Sequence, residues 1–117
     1  MALENPAEIS VEEVLDSLLK LDLLVFFQRN PDALDNPAGI ALWVGHDENS
    51  VARELAALAQ AGLIEAHGSG PDTIYTRARD PQILGKLDEF MEAVYSQRDN
   101  RLKLIATIIK REEGANA

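Results

Sequence analysis

The stretch from Val51 to Tyr75 constrains the fold of this chain more than any other part of the sequence. A helix is predicted at its start, since apolar residues recur there three or four positions apart: Val51, Leu55, Leu58 and Ala59. Gly62 ends this helix, and Leu63 to His67 has the composition of a strand. Turn-forming residues fill Gly68 to Asp72, and Thr73 to Ala78 is a second strand, so the two strands form a hairpin.

The residues before this stretch predict a shorter helix and a tight turn. Asn36-Pro37 reads as an N-cap followed by proline at the first helical position, and a helix is expected over residues 38–44. Gly45 suits a left-handed C-terminal cap. Asp47 is the next expected N-cap, and a helix from about Glu48 to Ala61 follows it. Two helices joined by a tight turn predict a helix-turn-helix over residues 37–62, with the hairpin of residues 63–78 as a wing.

The two ends of the chain are predicted to be helical. Ser10 and Glu13 have the spacing of a capping box, and a first helix is expected over residues 9–30, followed by a short connector from Asp32 to Asp35. Asp80-Pro81, like Asn36-Pro37, reads as an N-cap residue followed by proline at the first helical position. The last helix or helices should span residues 81–113, bent or broken near residues 97–100.

Apolar residues of roughly heptad spacing run along the C-terminal helix: Leu84, Leu87, Met91, Val94, Leu102, Ile105, Ile108 and Ile109. One small domain cannot easily cover all of them, so they predict a homodimer with the terminal helices at the interface. The same residues would also suit a core within one chain. The whole of 1–117 is expected to form a single domain.

The turn and third helix resemble a known family. Gly45-His-Asp-Glu-Asn-Ser-Val51, Arg53-Glu-Leu55 and Ala61-Gly-Leu-Ile-Glu65 are similar to the recognition-helix segment of winged helix-turn-helix transcriptional regulators, with the MarR-type group the nearest. The likeness is most specific over residues 37–78. It implies a mainly α fold with a small β-hairpin wing (α+β), an N-terminal helix and a long C-terminal dimerisation helix.

The resemblance also implies a DNA-binding surface. The N-terminal residues of a recognition helix approach the bases of the major groove, and wing residues reach phosphates. Carried over position by position, the residues facing DNA are His46, Asn49, Ser50, Arg53, Arg77 and Arg79, with Glu54 as a further candidate.

The negative charge of the chain argues against a DNA-binding surface. The net charge is -9, and residues 1–50 hold ten acids against two bases. Asp47 and Glu48 stand at the start of the recognition helix, and residues 68–72 of the wing tip carry one acid and no base. Phosphate contacts need Lys and Arg, so two functions stay open. One is a dimeric regulator bound to double-stranded DNA, and the other is an acidic protein-interaction module or adaptor that does not bind DNA directly.

Other classes of function have little support in the sequence. There is no cysteine, and we expect His46 and His67 to be surface or turn residues, so neither a metal site nor a cofactor is predicted. No catalytic motif is present, and an enzyme is not expected. No stretch is apolar enough to cross a membrane and the first ten residues do not form a secretory signal, so a cytoplasmic protein is expected.

Aromatic residues leave one more possibility. MarR-type dimers often bind effectors between the DNA-binding domain and the dimer helices, and such a pocket could be lined by Phe26, Phe27, Trp43 and Tyr95. The same residues would equally fill a core, which is the place we expect for Trp43.

Overall fold

The computed structural model describes residues 10–115, which form two compact units. One unit is Leu19–Arg79, and the other joins the two ends of the chain, up to Leu18 and from Asp80 onward. The helices are α1 (Val11–Val14), α2 (Leu18–Arg29), α3 (Pro37–Val44), α4 (Glu48–Gln60), α5 (Pro81–Phe90) and α6 (Arg98–Ala115). The strands are β1 (Leu34–Asp35), β2 (Ile64–His67) and β3 (Ile74–Arg77).

The Leu19–Arg79 unit has the predicted helix-turn-helix and wing. Gly45 adopts a left-handed conformation with φ 75° at the end of α3, and Gly62 does so with φ 85° after α4. L-residues rarely adopt these angles, so glycine permits both sharp exits. The core contains side chains that are almost fully buried: Leu23, Leu24, Phe27, Ile40, Val51, Leu55, Leu58, Leu63 and Ile64. The packing of α3 and α4 is therefore fixed by the apolar spacing seen in the sequence.

The sheet is three-stranded and antiparallel, with strand order β1-β3-β2. The predicted hairpin is confirmed, with Ile64 opposite Arg77 and His67 opposite Ile74. The connector predicted for residues 32–35 instead includes β1, where Leu34 pairs with Thr76. Strand β1 forms because the backbone groups along one edge of β3 would otherwise lack partners. No local sequence pattern predicts this pairing.

The first helix differs from the prediction, because residues 10–29 form two helices with a break at residues 15–17. Ser10 occupies the N-cap of α1, but its side chain makes no capping hydrogen bond within the described residues 10–115, so the predicted capping box is wrong. Residue 9, the expected start of the helix, lies outside the described residues.

Side chains of α6 supply partners for the backbone groups at this break. The guanidinium of Arg111 donates to the carbonyl oxygens of Glu12, at 2.6 Å, and Leu15, at 2.8 Å. The backbone N–H of Leu18 donates to the carboxylate of Glu112 at 2.8 Å. Carbonyls and N–H groups freed at helix ends need such partners. The break therefore depends on residues more than ninety positions away in the chain.

The C-terminal helices are interrupted as expected. Asp80 caps α5 by accepting from the backbone N–H of Gln82 at 2.8 Å. A π-helical segment, Met91–Tyr95, follows α5, and a turn at residues 96–97 separates it from α6. The predicted break near residues 97–100 is confirmed, whereas the π-helical segment was not foreseen. No helix among the described residues is long and apolar enough to cross a membrane.

The apolar residues of α5 and α6 are not equivalent. Leu87 and Ile108 are fully buried in the single chain, so their assignment to a dimer interface is corrected: they belong to the core of the subunit. Leu102 and Ile109 are 48% and 39% exposed. The other four predicted interface residues are half-buried: Leu84, Met91, Val94 and Ile105. Helix α6 is therefore apolar on a buried face and also on part of its exposed face.

Candidate nucleic-acid interface

The start of α4 is organised by Asp47. One carboxylate oxygen of Asp47 accepts from the backbone N–H of Ser50 at 2.8 Å, and the other accepts from the Ser50 hydroxyl at 2.7 Å. The hydrogen bond from the Ser50 side chain, followed by the one from its backbone, lowers the pKa of Asp47 below its usual value. The carboxylate is thus directed at the N-terminus of its own helix, where a negative charge is favourable.

The lowered pKa of Asp47 fixes the pH range in which this cap stabilises α4. A group whose pKa is depressed by folding contributes its full stabilisation above its unfolded pKa. That contribution is lost as the pH falls through the folded pKa. The start of α4 is therefore fully capped at neutral pH.

The predicted contact residues of α4 lie within two helical turns. Arg53 and Asn49 are exposed, and a guanidinium nitrogen of Arg53 donates to the hydroxyl oxygen of Ser50 at 3.5 Å. Ser50 itself is half-buried between the carboxylate of Asp47 and this guanidinium. The hydroxyl of Ser50 therefore positions the guanidinium of Arg53. The exposed side chains of Asn49 and Arg53 are able to contact a ligand.

His46 precedes α4 and is exposed. Its Nε2 atom lies 3.7 Å from a carboxylate oxygen of Asp22 on α2. A phosphate that approached His46 would therefore also approach the exposed carboxylate of Asp22, which would repel it.

Glu54 does not face outward, which corrects its assignment as a possible DNA contact. Its carboxylate lies 3.3 Å from the ammonium of Lys20 on α2, and the two side chains are 18% and 9% exposed. The signal for this was present in the sequence, since Glu54 is three residues after Val51 and four before Leu58. Residues at that spacing share the core-facing side of a helix.

The two wing arginines have different surroundings. Arg77, on β3, is half-buried, and its guanidinium donates to the side-chain oxygen of Gln28 on α2 at 3.2 Å. Arg77 therefore links the sheet to α2, and its predicted contact with phosphate stays a prediction. Arg79 is exposed, while its backbone N–H donates to the carboxylate of Glu65 at 2.8 Å. Arg79 is the more exposed of the two candidates for phosphate contact.

The wing tip is short and carries no cation. A 3₁₀ turn, Gly70–Asp72, connects the strands, and the hydroxyl of Thr73 donates to the carbonyl of Gly70 at 2.7 Å. His67 and Thr76 are joined across the strands at 2.9 Å between Nε2 and Oγ1. The exposed carboxylate of Asp72 gives the tip a negative charge that phosphate would repel.

Three of the four aromatic residues are neighbours, with the ring centre of Phe26 5.2 Å from that of Phe27 and 6.4 Å from that of Trp43. Phe27 is fully buried, whereas Trp43 is 75% exposed, so the prediction of a core position for Trp43 is wrong. Tyr95 belongs to the unit from Asp80 onward, where the guanidinium of Arg101 lies 5.7 Å from the centre of its ring. Within the described part of the chain, no group of three His, Asp or Glu side chains is arranged to hold a metal ion.

Comparison with known proteins supports the architecture. No family model matches the chain, and no curated protein matches it. An ArsR-like transcriptional regulator from Rhodococcus sp. RHA1 has a similar structure, with a TM-score of 0.51 and 23% identity over 85% of this chain and 89% of that one. The chain has the winged-helix fold. A possible transcriptional regulator from Methanosarcina mazei Go1 is also similar, with a TM-score of 0.51 and 18% identity over 81% and 88% of the two chains.

Proposed function

We propose that this winged-helix protein is a dimeric transcriptional regulator that binds double-stranded DNA through the N-terminal face of α4. The observation that carries the proposal is the position of Asn49 and Arg53, which are exposed together at the start of α4, where the carboxylate of Asp47 is engaged in capping. Both similar structures are described as regulators or possible regulators of transcription, which agrees with this function.

Each contact residue has a role that follows from its chemistry. The amide of Asn49 can pair with the edge of adenine, and the guanidinium of Arg53 can pair with guanine or a phosphate. We assign Arg79 to a phosphate of the backbone and His46 to the edge of the proposed surface. Ser50 orients Arg53 through the 3.5 Å contact between its hydroxyl and the guanidinium.

The exposed face of α6 supports a dimer. Leu102, Ile105 and Ile109 follow one another at spacings of three and four residues, so they form one stripe along the helix. We place this stripe at a two-fold interface, joined by the half-buried Leu84, Met91 and Val94. In a dimer that reads adjacent half-sites, the two α4 helices must lie about one DNA turn, ~34 Å, apart.

A gel-shift series against genomic fragments tests the function. The phosphate term of the affinity is greatest at low salt, so retarded complexes should form there and should weaken as salt is added. Competition with unlabelled fragments then identifies the preferred sequence. A chain that shifts no fragment even at the lowest salt at which it stays soluble would not be a DNA-binding regulator.

Asp47→Asn is expected to raise the affinity for DNA about fivefold at low salt, the factor for one unit charge about 4 Å away in water. Asparagine is as good an N-cap as aspartate, so α4 should keep its start while losing a negative charge beside the phosphates. Fluorescence anisotropy with a labelled duplex measures the change. Asp72→Asn, at the wing tip, tests whether the negative charge of this exposed acid also lowers the affinity for DNA. An unchanged or weaker affinity of the Asp47 variant would place the start of α4 away from DNA.

The acidic surface favours a second candidate function. Asp47 and Glu48 begin α4 and the wing tip offers no base, which would suit a winged helix that binds a basic protein instead of DNA. Purification of a specific protein partner, with no nucleic acid retained, would support this function. Tight, sequence-dependent gel shifts would contradict it.

A further inference from the structure

Helix α3 is apolar on its outward side as well as on its buried side. It carries no charged residue from Pro37 to Val44. Ile40 and Ala41 are buried, whereas Leu42 and Trp43 are 86% and 75% exposed. A helix that is hydrophobic all round is normally covered on every side. The outward side of α3 is therefore an unusual surface for a chain that acts alone.

Neighbouring residues enlarge this apolar surface. The ring of Phe26 on α2 lies 6.4 Å from the ring of Trp43, centre to centre, at 44°. Leu34 on β1 is 66% exposed. Phe26, Leu34 and Trp43 line a cleft of about 480 Å³ next to the loop that follows α2. We call Phe26, Leu34, Leu42 and Trp43 the α3 patch.

Acidic residues outnumber bases in the cleft beside the α3 patch. Asp32 and Asp35 line the same cleft, where Arg29 is the one basic residue. Between residues 19 and 50 there are five acids and two bases, and one of these bases, Lys20, is paired with Glu54 in the interior. An occupant of the cleft must therefore combine apolar groups with positive charge.

We propose that the α3 patch docks an amphipathic helix of a partner protein that carries Lys or Arg beside its apolar face. Apolar anchors three or four residues apart fill a groove of this kind, and exposed tryptophan is a frequent anchor of binding energy. Two further occupants are disfavoured by charge. An anionic membrane surface would be repelled by the acidic surroundings, and so would a second copy docked through the same patch. The proposal does not depend on DNA binding.

The fluorescence of Trp43 provides a direct test, because it is the single tryptophan of the chain. The probe is an 18-residue synthetic peptide of leucine and lysine with all leucines on one helical face. A peptide of identical composition, with leucine spread around the helix, is the matched control. The amphipathic peptide should shift Trp43 emission to the blue in a saturable manner, and the control peptide should bind at least roughly tenfold more weakly. Equal affinity for both peptides, or no shift at all, would overturn the proposal.

Variants of the full chain locate the binding. Leu42→Gln and Leu34→Gln should each weaken peptide binding by roughly tenfold, while folding is preserved because both side chains are exposed. Ala93→Gln changes an exposed residue of the other unit that is not part of the proposed dimer interface, and this variant should bind the peptide normally. Equal losses in Leu42→Gln and Ala93→Gln would contradict the proposed surface. A blue shift caused by anionic vesicles, or by raising protein concentration without peptide, would replace the partner helix with a membrane or a second copy.

Discussion

Leu55→Ala is expected to lower the free energy of unfolding by roughly 2–5 kcal/mol, the range for a leucine removed from a packed interior. Leu55 is fully buried at the middle of α4, in line with Val51 and Leu58. The truncation leaves a cavity in the apolar row that holds α4 in the unit. Urea denaturation followed by circular dichroism measures the change, since α4 belongs to the helical core.

Gln60→Ala is the matched control for this substitution. Gln60 is exposed in the last turn of the same helix, so its replacement should change stability by no more than about 0.5 kcal/mol. Equal stability of Leu55→Ala and Gln60→Ala would mean that α4 does not pack on its Leu55 side. The outward face assigned to Asn49 and Arg53 would then be wrong as well, because the two faces of one helix are fixed together.

Leu102→Glu combined with Ile109→Glu is expected to convert a dimer into a monomer. The mass of one chain is 12.8 kDa, and the mass of the unmodified protein obtained from sedimentation should be twice that value. The two side chains are seven residues apart on the exposed part of α6, so the substitution puts two carboxylates into the proposed interface. An unpaired charge in an apolar interface is costly, and we expect dimer affinity to fall at least roughly 100-fold. Analytical ultracentrifugation over a concentration series measures it.

The control for the dimer introduces the same two glutamates beside the stripe. Lys103 and Lys110 are exposed and are also seven residues apart. Lys103→Glu with Lys110→Glu should leave the dimer largely intact, although it changes the charge more than the interface variant does. A monomeric unmodified protein, or a dimer that is insensitive to the Leu102 and Ile109 changes, would contradict the proposed interface.

The parts of the fold that were correctly predicted are determined by neighbouring residues. The side chain of Asn36 accepts from the backbone N–H of Gly39 at 2.9 Å, and Asp47 and Asp80 cap their helices in the same way. The left-handed Gly45 ends α3 as expected. These features need only three or four consecutive residues, so the sequence reveals them directly.

The errors arise where distant residues determine the result. Arg111 and Glu112 stabilise the break between α1 and α2, and the guanidinium of Arg77 is held by Gln28. Trp43 looks like a core residue by type, yet Ile40 and Ala41 are buried in α3 while Trp43 is exposed. Helix propensity and apolar periodicity depend on neighbouring residues, so they do not predict contacts between residues that are distant in the chain. For the candidate site, the sequence correctly predicted that Asn49 and Arg53 of α4 face away from the core, but it did not indicate that Arg77 contacts Gln28.

The most direct test of DNA binding through α4 compares Arg53→Ala with Arg98→Ala in fluorescence anisotropy, using the preferred duplex at low salt. Both residues are exposed, and both variants lose one positive charge, but Arg98 lies in the unit from Asp80 onward. The structure predicts that Arg53→Ala weakens binding roughly 5- to 150-fold and relaxes sequence preference, with a much smaller loss for Arg98→Ala. Equal losses in the two variants, or no binding by the unmodified protein at the lowest salt, would contradict the role assigned to α4.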